Sequence, residues 1–269
     1  MNRNVEVQQT IQEHVFFLMH RFAYEYTKDF SKNSIVLYIG CGSGYGDDIL
    51  VSTASAVIAL DIDKSIIKYA NSKYNNEKIY FIVGDGYNLP LRKNAFDLVV
   101  SFQVIEHIEP AKVLHYLKEI RRVFKSNGTC IITTPNRLLR SLPFQKPRNP
   151  EHKKEYDYKE LRSLLTKVFS KVCARFISSE FVVAVERNRV HQSPFMIFKV
   201  LLKRVLEYMP NKIHTYLCSV VTRSTSIKHV PELKRDKHNH FMKLINTNHF
   251  YITNSNLKKY LHVYAICEK

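Results

Sequence analysis

Glycine stops at Gly128: all seven glycines of this 269-residue chain lie in its first half. Acid is scarce in the second half. Residues 135–269 hold 26 Lys and Arg against 10 Asp and Glu, whereas residues 1–134 hold 15 against 14. Nearly all of the +17 net charge therefore sits downstream. Cysteine is sparse too: Cys41, Cys130, Cys173, Cys218 and Cys267 are odd in number, scattered, and without metal-ligand spacing. That argues against a disulfide framework or zinc cluster and fits a reducing compartment. No apolar run approaches the roughly 18 to 20 residues of a membrane span. The run Val15–Met19 is too short for a secretory signal and ends at His20-Arg21. Repeats and low-complexity segments are also missing from a composition that is 45% hydrophobic and 24% charged. The expectation is a cytoplasmic protein whose basic half can meet something anionic.

What is present is a regular alternation. Residues 8–27 carry Ile11, Val15, Leu18 and Phe22 on one helical stripe. A continuous apolar run at Ile35–Ile39 reads as a buried parallel strand, and Ala56–Leu60, Ile79–Val83, Phe96–Ser101 and Thr129–Thr134 read as further strands. Between them lie helical patterns near Asp47–Thr53, at Lys64–Tyr74, and from Pro110 with Val113, Leu117, Ile120 and Phe124 inward and Gly128 past its end. Asp157 with Glu160 makes a capping box ahead of Leu161, Leu164 and Val168. Ser193-Pro194 opens a helix to Met209, with Lys199, Lys203, Arg204 and Glu207 on one face and bulky apolar residues on the others. A polar stretch at 223–256 follows, and Leu261–Cys267 is a last strand. Such alternation gives a parallel sheet covered on both faces. The organisation expected is an N-terminal helix (1–30), a core (31–186), a basic insertion (187–256) and a closing strand (257–269).

The strongest chemical signal is the segment Leu37-Tyr38-Ile39-Gly40-Cys41-Gly42-Ser43-Gly44, a strand running directly into glycines. Lacking β-carbons, Gly40, Gly42 and Gly44 allow positive φ and close approach of a ligand to the backbone. A dinucleotide fingerprint fails, because its last glycine position falls on Tyr45 or Asp47. The second strand ends at Asp61, which can accept hydrogen bonds from both hydroxyls of a ribose. The third ends at Gly84-Asp85-Gly86, where Asp85 can accept from an adenine amine. Beyond the fourth strand stands Gln103-Val104-Ile105-Glu106-His107, and beyond the fifth Asn149-Pro150-Glu151-His152. A histidine there can take a hydroxyl proton near neutral pH. A structural Glu106–His107 pair that orients the loop is the plain alternative.

These segments resemble the class I S-adenosylmethionine-dependent methyltransferases, especially the broad group that includes ubiquinone-biosynthesis O-methyltransferases. The resemblance spans residues 35–135 through VLYIGCGSG, ALDID, GDGYNLPL, FDLVVSFQVIEHI and GTCIITTPN. It implies a Rossmann-like, mostly parallel seven-stranded sheet with helices on both faces, plus a basic helical insertion. It implies S-adenosylmethionine as cofactor, with Gly40, Gly42 and Gly44 flanking the methionine, Asp61 on the ribose, and Asp85, Gly86 and Tyr87 on the adenine. Ile62 and Gln103 are read as further cofactor contacts.

Glu106, His107 and His152 are read as the catalytic group. Small-RNA 3′-terminal 2′-O-methyltransferases resemble this segment too, with an E-x-x-E-H motif and a later histidine forming a divalent metal site. Here Gln103 stands in place of the first carboxylate, which weakens a magnesium site, so no metal is assigned. The function expected is methyl transfer to oxygen of a small-molecule, glycan or lipid-linked acceptor. An anionic membrane surface is a further partner. An RNA ribose 2′-O-methyltransferase and a non-catalytic anion-binding protein are the alternatives.

Overall fold

The computed structural model describes residues 11–140, 146–147, 149–179, 247–253 and 261–269. The helix expected at 193–209 and most of the expected insertion lie outside the described residues, as does Cys218; the four described cysteines are free.

A long helix α1 (Ile11–Ser31) precedes the alternation β1 (Ile35–Ile39), α2 (Tyr45–Val51), β2 (Ala56–Asp61), α3 (Lys64–Lys73), β3 (Ile79–Val83) and β4 (Phe96–Phe102). Then come α4 (Val113–Val123), β5 (Phe124–Pro135), α5 (Arg137–Arg140), α6 (Tyr158–Leu165), β6 (Lys171–Ser178), β7 (Tyr251–Thr253) and β8 (His262–Glu268). Strand order is β3-β2-β1-β4-β5-β8-β6-β7. Strands β3, β2, β1, β4 and β5 run parallel, while β8 is antiparallel to both β5 and β6.

Among the described residues the sheet has eight strands rather than the seven expected. Periodicity locates neither β6 nor β7; β7 pairs with β6 at the edge through Ile177↔Ile252. It comes from the segment whose polar composition suggested only insertion. A three-residue edge strand has too few residues to display an alternating pattern.

Two apolar layers sandwich the sheet. On one side Met19, Ala23 and Tyr24 of α1 and Leu50 of α2 cover Val36, Tyr38, Val100 and Ile131. On the other, Leu117 and Ile120 of α4 and Leu161 and Leu165 of α6 cover Leu37, Val99, Cys130 and Ile132. Helix α6 carries the expected capping box: Asp157 accepts from the Glu160 N–H, and the Glu160 carboxylate accepts from the Asp157 N–H. Thr27 of α1 bonds the Tyr264 hydroxyl of β8 at 2.7 Å, tying the first helix to the last strand.

Two boundaries differ from expectation. Pro110 lies before α4, which begins at Val113. Strand β5 begins at Phe124, directly after α4, with pairing to β4 shifted between Phe96 and Leu98. Gly128 lies past the end of α4, as expected, but inside β5 at this irregularity rather than in a turn before the strand. A β-carbon there would stand 3.0 Å from the Asp97 carbonyl oxygen.

Candidate active site

Backbone hydrogen bonds gather the strand ends into one row. Gly40 and Cys41 both donate to the Leu60 carbonyl, at 2.8 and 3.1 Å, and Gly84 donates to the Asp61 carbonyl at 2.9 Å. Gln103 donates its N–H to the Thr133 carbonyl at 3.0 Å. Neighbouring strands lie about 4.8 Å apart, so the glycine loop, Asp61, Asp85 and Gln103 share one edge of the sheet. Ligands of open α/β sheets bind beyond that edge.

The three glycines of the loop serve different ends. All have positive φ, at 74° for Gly40, 53° for Gly42 and 84° for Gly44. A β-carbon on Gly40 would stand 2.4 Å from Val104 Cγ2, and one on Gly44 would stand 3.0 Å from the Tyr74 ring. Both positions are closed by packing. A β-carbon on Gly42 would meet nothing within 4 Å, so Gly42 borders open space.

Asp61 stands over this loop. Its Oδ2 accepts from the Gly42 N–H at 2.9 Å and its Oδ1 from the Asp63 N–H at 3.0 Å. Each oxygen retains acceptor capacity. Ile62, beside it, is 69% exposed, an apolar side chain bare at the sheet edge. Asp85 is exposed and accepts from the Tyr87 N–H at 2.9 Å. Gly86 is closed by packing, since a β-carbon there would lie 2.9 Å from Tyr116 Cε2. The Tyr87 ring meets that of Tyr116 edge-on at 6.3 Å. An open glycine, an available carboxylate and a bare apolar side chain in one row suit a nucleoside ligand.

A second group lies beyond β4 and β5. Gln103 has φ 57°, and its side-chain Nε2 donates to Thr133 Oγ1 at 3.0 Å and lies 3.0 Å from His262 Nδ1. Glu106 is fully buried; Thr134 Oγ1 donates to its Oε2 at 3.0 Å, while its Oε1 has no partner among the described residues. Burial pushes the Glu106 carboxyl up to about 7, against the opposing pull of its own N–H, His152, Thr134 and Arg140. His107 is held below its ordinary value by burial and by His152. The two imidazoles stand edge to face, 4.8 Å between ring centres. The backbone binds the halves together: Lys153 and Lys154 donate their N–H groups to the Glu106 carbonyl at 2.8 and 3.1 Å.

One donor atom from each of Glu106, His107 and His152 falls within 4.8 Å of the others, a set able to hold a metal ion. Gln103 is turned to Thr133 and His262 instead. One carboxylate and two imidazoles suit a transition metal better than magnesium.

Several side chains of this group carried no signal as isolated residues. Glu155 is buried and its Oε1 lies 2.9 Å from His152 Nδ1. Arg140 Nε stands 3.8 Å from the same oxygen. Burial lowers His20 to about 4, with Arg140 adding to the effect, and its ring lies 5.8 Å from that of His262. The spacing His152-x-x-Glu155 could have exposed the carboxylate, because three residues suffice for a turn to close. Nothing local could have joined His20 to His262.

Residues 37–132 match the methyltransferase domain family. A "Probable S-adenosylmethionine-dependent methyltransferase" of Mycobacterium tuberculosis is 34% identical over 154 residues, covering 57% of this chain and 54% of that protein. A ubiquinone biosynthesis O-methyltransferase of Pelagibacter ubique is 30% identical over 115 residues, covering 42% of this chain and 47% of that one. The chain thus spans about half the length of these curated relatives. Among solved structures, a SAM dependent methyltransferase from Archaeoglobus fulgidus matches the fold with a TM-score of 0.53 at 18% identity, over 95% of this chain and 99% of that one. Over residues 37–132 the chain is thus similar to a methyltransferase domain, and the Mycobacterium relative that it matches is named as S-adenosylmethionine-dependent.

Proposed function

We propose that this chain transfers a methyl group from S-adenosylmethionine to an oxygen of a small-molecule, glycan or lipid-linked acceptor. The observation that carries the reading is the contact of Val104 with Gly40. It sets the glutamate–histidine group directly beside the glycine loop. An O-methyltransferase among the relatives supports oxygen as the acceptor atom.

The cofactor supplies a methyl group already activated on a sulfonium, whose neutral thioether leaving group needs no acid. The chain's own task is to grip, align and accept a proton. Gly40, Gly42 and Gly44 flank the methionine arm, Asp61 accepts from the ribose hydroxyls with Ile62 beside it, and Asp85, Gly86 and Tyr87 border the adenine. Gln103 closes the row from β4. His107, kept neutral at pH 7 by its lowered pKa, takes the acceptor's hydroxyl proton. His152, oriented by Glu155, and Glu106 flank that imidazole. The test is transfer from labelled donor to a panel of hydroxyl acceptors by wild type and His107→Ala. Loss of transfer with retained S-adenosylhomocysteine binding supports the assignment; full activity of the variant overturns it.

The clustering within 4.8 Å favours a second reading, in which the same three side chains hold a divalent transition metal that orients the acceptor oxygen. Activity abolished by chelation and restored by added metal would select it. The basic second half supports an anionic partner. Co-sedimentation with anionic vesicles that declines with salt would identify a membrane surface, and methylation of RNA oligonucleotides would identify nucleic acid.

A further inference from the structure

Asp47 is the third residue of α2, fully buried, and both of its carboxyl oxygens lack a hydrogen-bond partner among the described residues. Its neighbour Asp48 is exposed. Burying a carboxylate without partners is costly, and such a group retains its proton unless a cation arrives. Burial holds the Asp47 carboxyl well above the usual carboxylate range, against the opposing pull of its own backbone N–H.

The surroundings do not relieve it. The Tyr24 and Tyr38 hydroxyls bond one another instead of Asp47. Gly46 fixes the turn against α1, since a β-carbon there would lie 2.4 Å from Tyr24 Cε1. Asp47 follows Gly44 by three residues, and Asp61 accepts from the Gly42 N–H at 2.9 Å, so both acids adjoin the glycine loop. The local charge is also one-sided. Between Lys32 and Lys64 the chain has Asp47, Asp48, Asp61 and Asp63 and not one Lys or Arg. A loop set among acids, with one acid buried and unpartnered, is built for a cationic ligand.

We propose that Asp47 binds the α-ammonium of the methionine arm of S-adenosylmethionine. The inference rests on the cofactor reading above and extends it to a residue which that reading leaves unused. On binding, the Asp47 carboxyl gives its proton to solvent and the carboxylate so formed pairs with the ammonium. Asp47 is fully covered, so a neighbour must yield for the pair to form. The half-buried Tyr45, two residues before it and packed edge-on to Tyr24 at 5.3 Å, is placed to do so.

The experiment is calorimetry of wild type and Asp47→Asn with S-adenosylhomocysteine and with methylthioadenosine, which lacks the amino-acid end. The variant is expected to bind S-adenosylhomocysteine roughly ten- to a hundredfold more weakly, the range of a charged hydrogen bond. It is expected to bind methylthioadenosine within about twofold of wild type, a difference small against that range. Binding heats in buffers of different ionisation enthalpy should show proton release for wild type with S-adenosylhomocysteine and none for the variant. Ligand-free Asp47→Asn should melt no lower than wild type. Equal affinity of both proteins for S-adenosylhomocysteine overturns the Asp47 assignment while leaving the cofactor reading intact. Equal weakening of both ligands, or a lower melting temperature, shows a purely structural role and also overturns it. Failure of wild type to bind either ligand defeats the cofactor reading itself.

Discussion

Glu155 Oε1 lies 2.9 Å from Nδ1 of His152, and both side chains are almost wholly buried, at 1% and 6% exposure. A carboxylate on one ring nitrogen fixes the orientation of the imidazole and directs the other nitrogen outward. In the proposed mechanism Glu155 acts as a positioning residue. Glu155→Gln is expected to lower kcat roughly tenfold, as for loss of a charged hydrogen bond, while S-adenosylhomocysteine affinity stays unchanged. The pH profile of kcat should shift as well. An unchanged profile with proportionate loss of folded protein would show that Glu155 acts only on stability.

Glu106 carries a pH signature. Its folded-state pKa is raised from 4.5 to about 7 by burial, so the folded chain holds that proton more tightly than the unfolded chain. The sign follows: its contribution to stability is full below about 4.5 and is lost as pH rises through about 7. Glu106→Gln removes the ionisable group. The urea midpoint of the variant relative to wild type is therefore expected to be higher at pH 8 than at pH 5. A difference that is equal at both pH values would mean that Glu106 titrates normally.

Gly40 and Gly42 separate packing from binding. Gly40→Ala drives a methyl group into Val104 at 2.4 Å and is expected to lower the melting temperature markedly. Gly42→Ala meets no atom within 4 Å, so its stability cost is the positive φ alone, on the order of 1 kcal/mol. Its methyl group enters the space assigned to the cofactor. It is expected to lose S-adenosylhomocysteine affinity out of proportion to stability, measured by calorimetry beside thermal melts.

Much of this fold could be read from periodicity. Strand β1 and strand β3 occur with the residues expected, because each is a continuous apolar run of five residues; β1 is buried within the sheet, whereas β3 lies at its edge with Tyr80 and Val83 exposed. The onset of β5 at Phe124 could not, since Lys125, Ser126 and Asn127 look like a turn and are accommodated by the irregular pairing at Asp97. In the site, the glycines and the strand-end aspartates announce themselves by position. Asp47, Glu155, His20 and His262 do not. Their meaning lies in burial and in partners brought from distant parts of the chain, which no local pattern encodes.

The proposed methyl transfer depends most on Asp61 holding the cofactor, and calorimetry with S-adenosylhomocysteine measures that. Wild type is expected to bind, and Asp61→Ala, which loses the acceptors for the ribose hydroxyls and the bond to the Gly42 N–H, to bind at least about tenfold more weakly. Equal binding by the two proteins, or no binding by wild type, would contradict it.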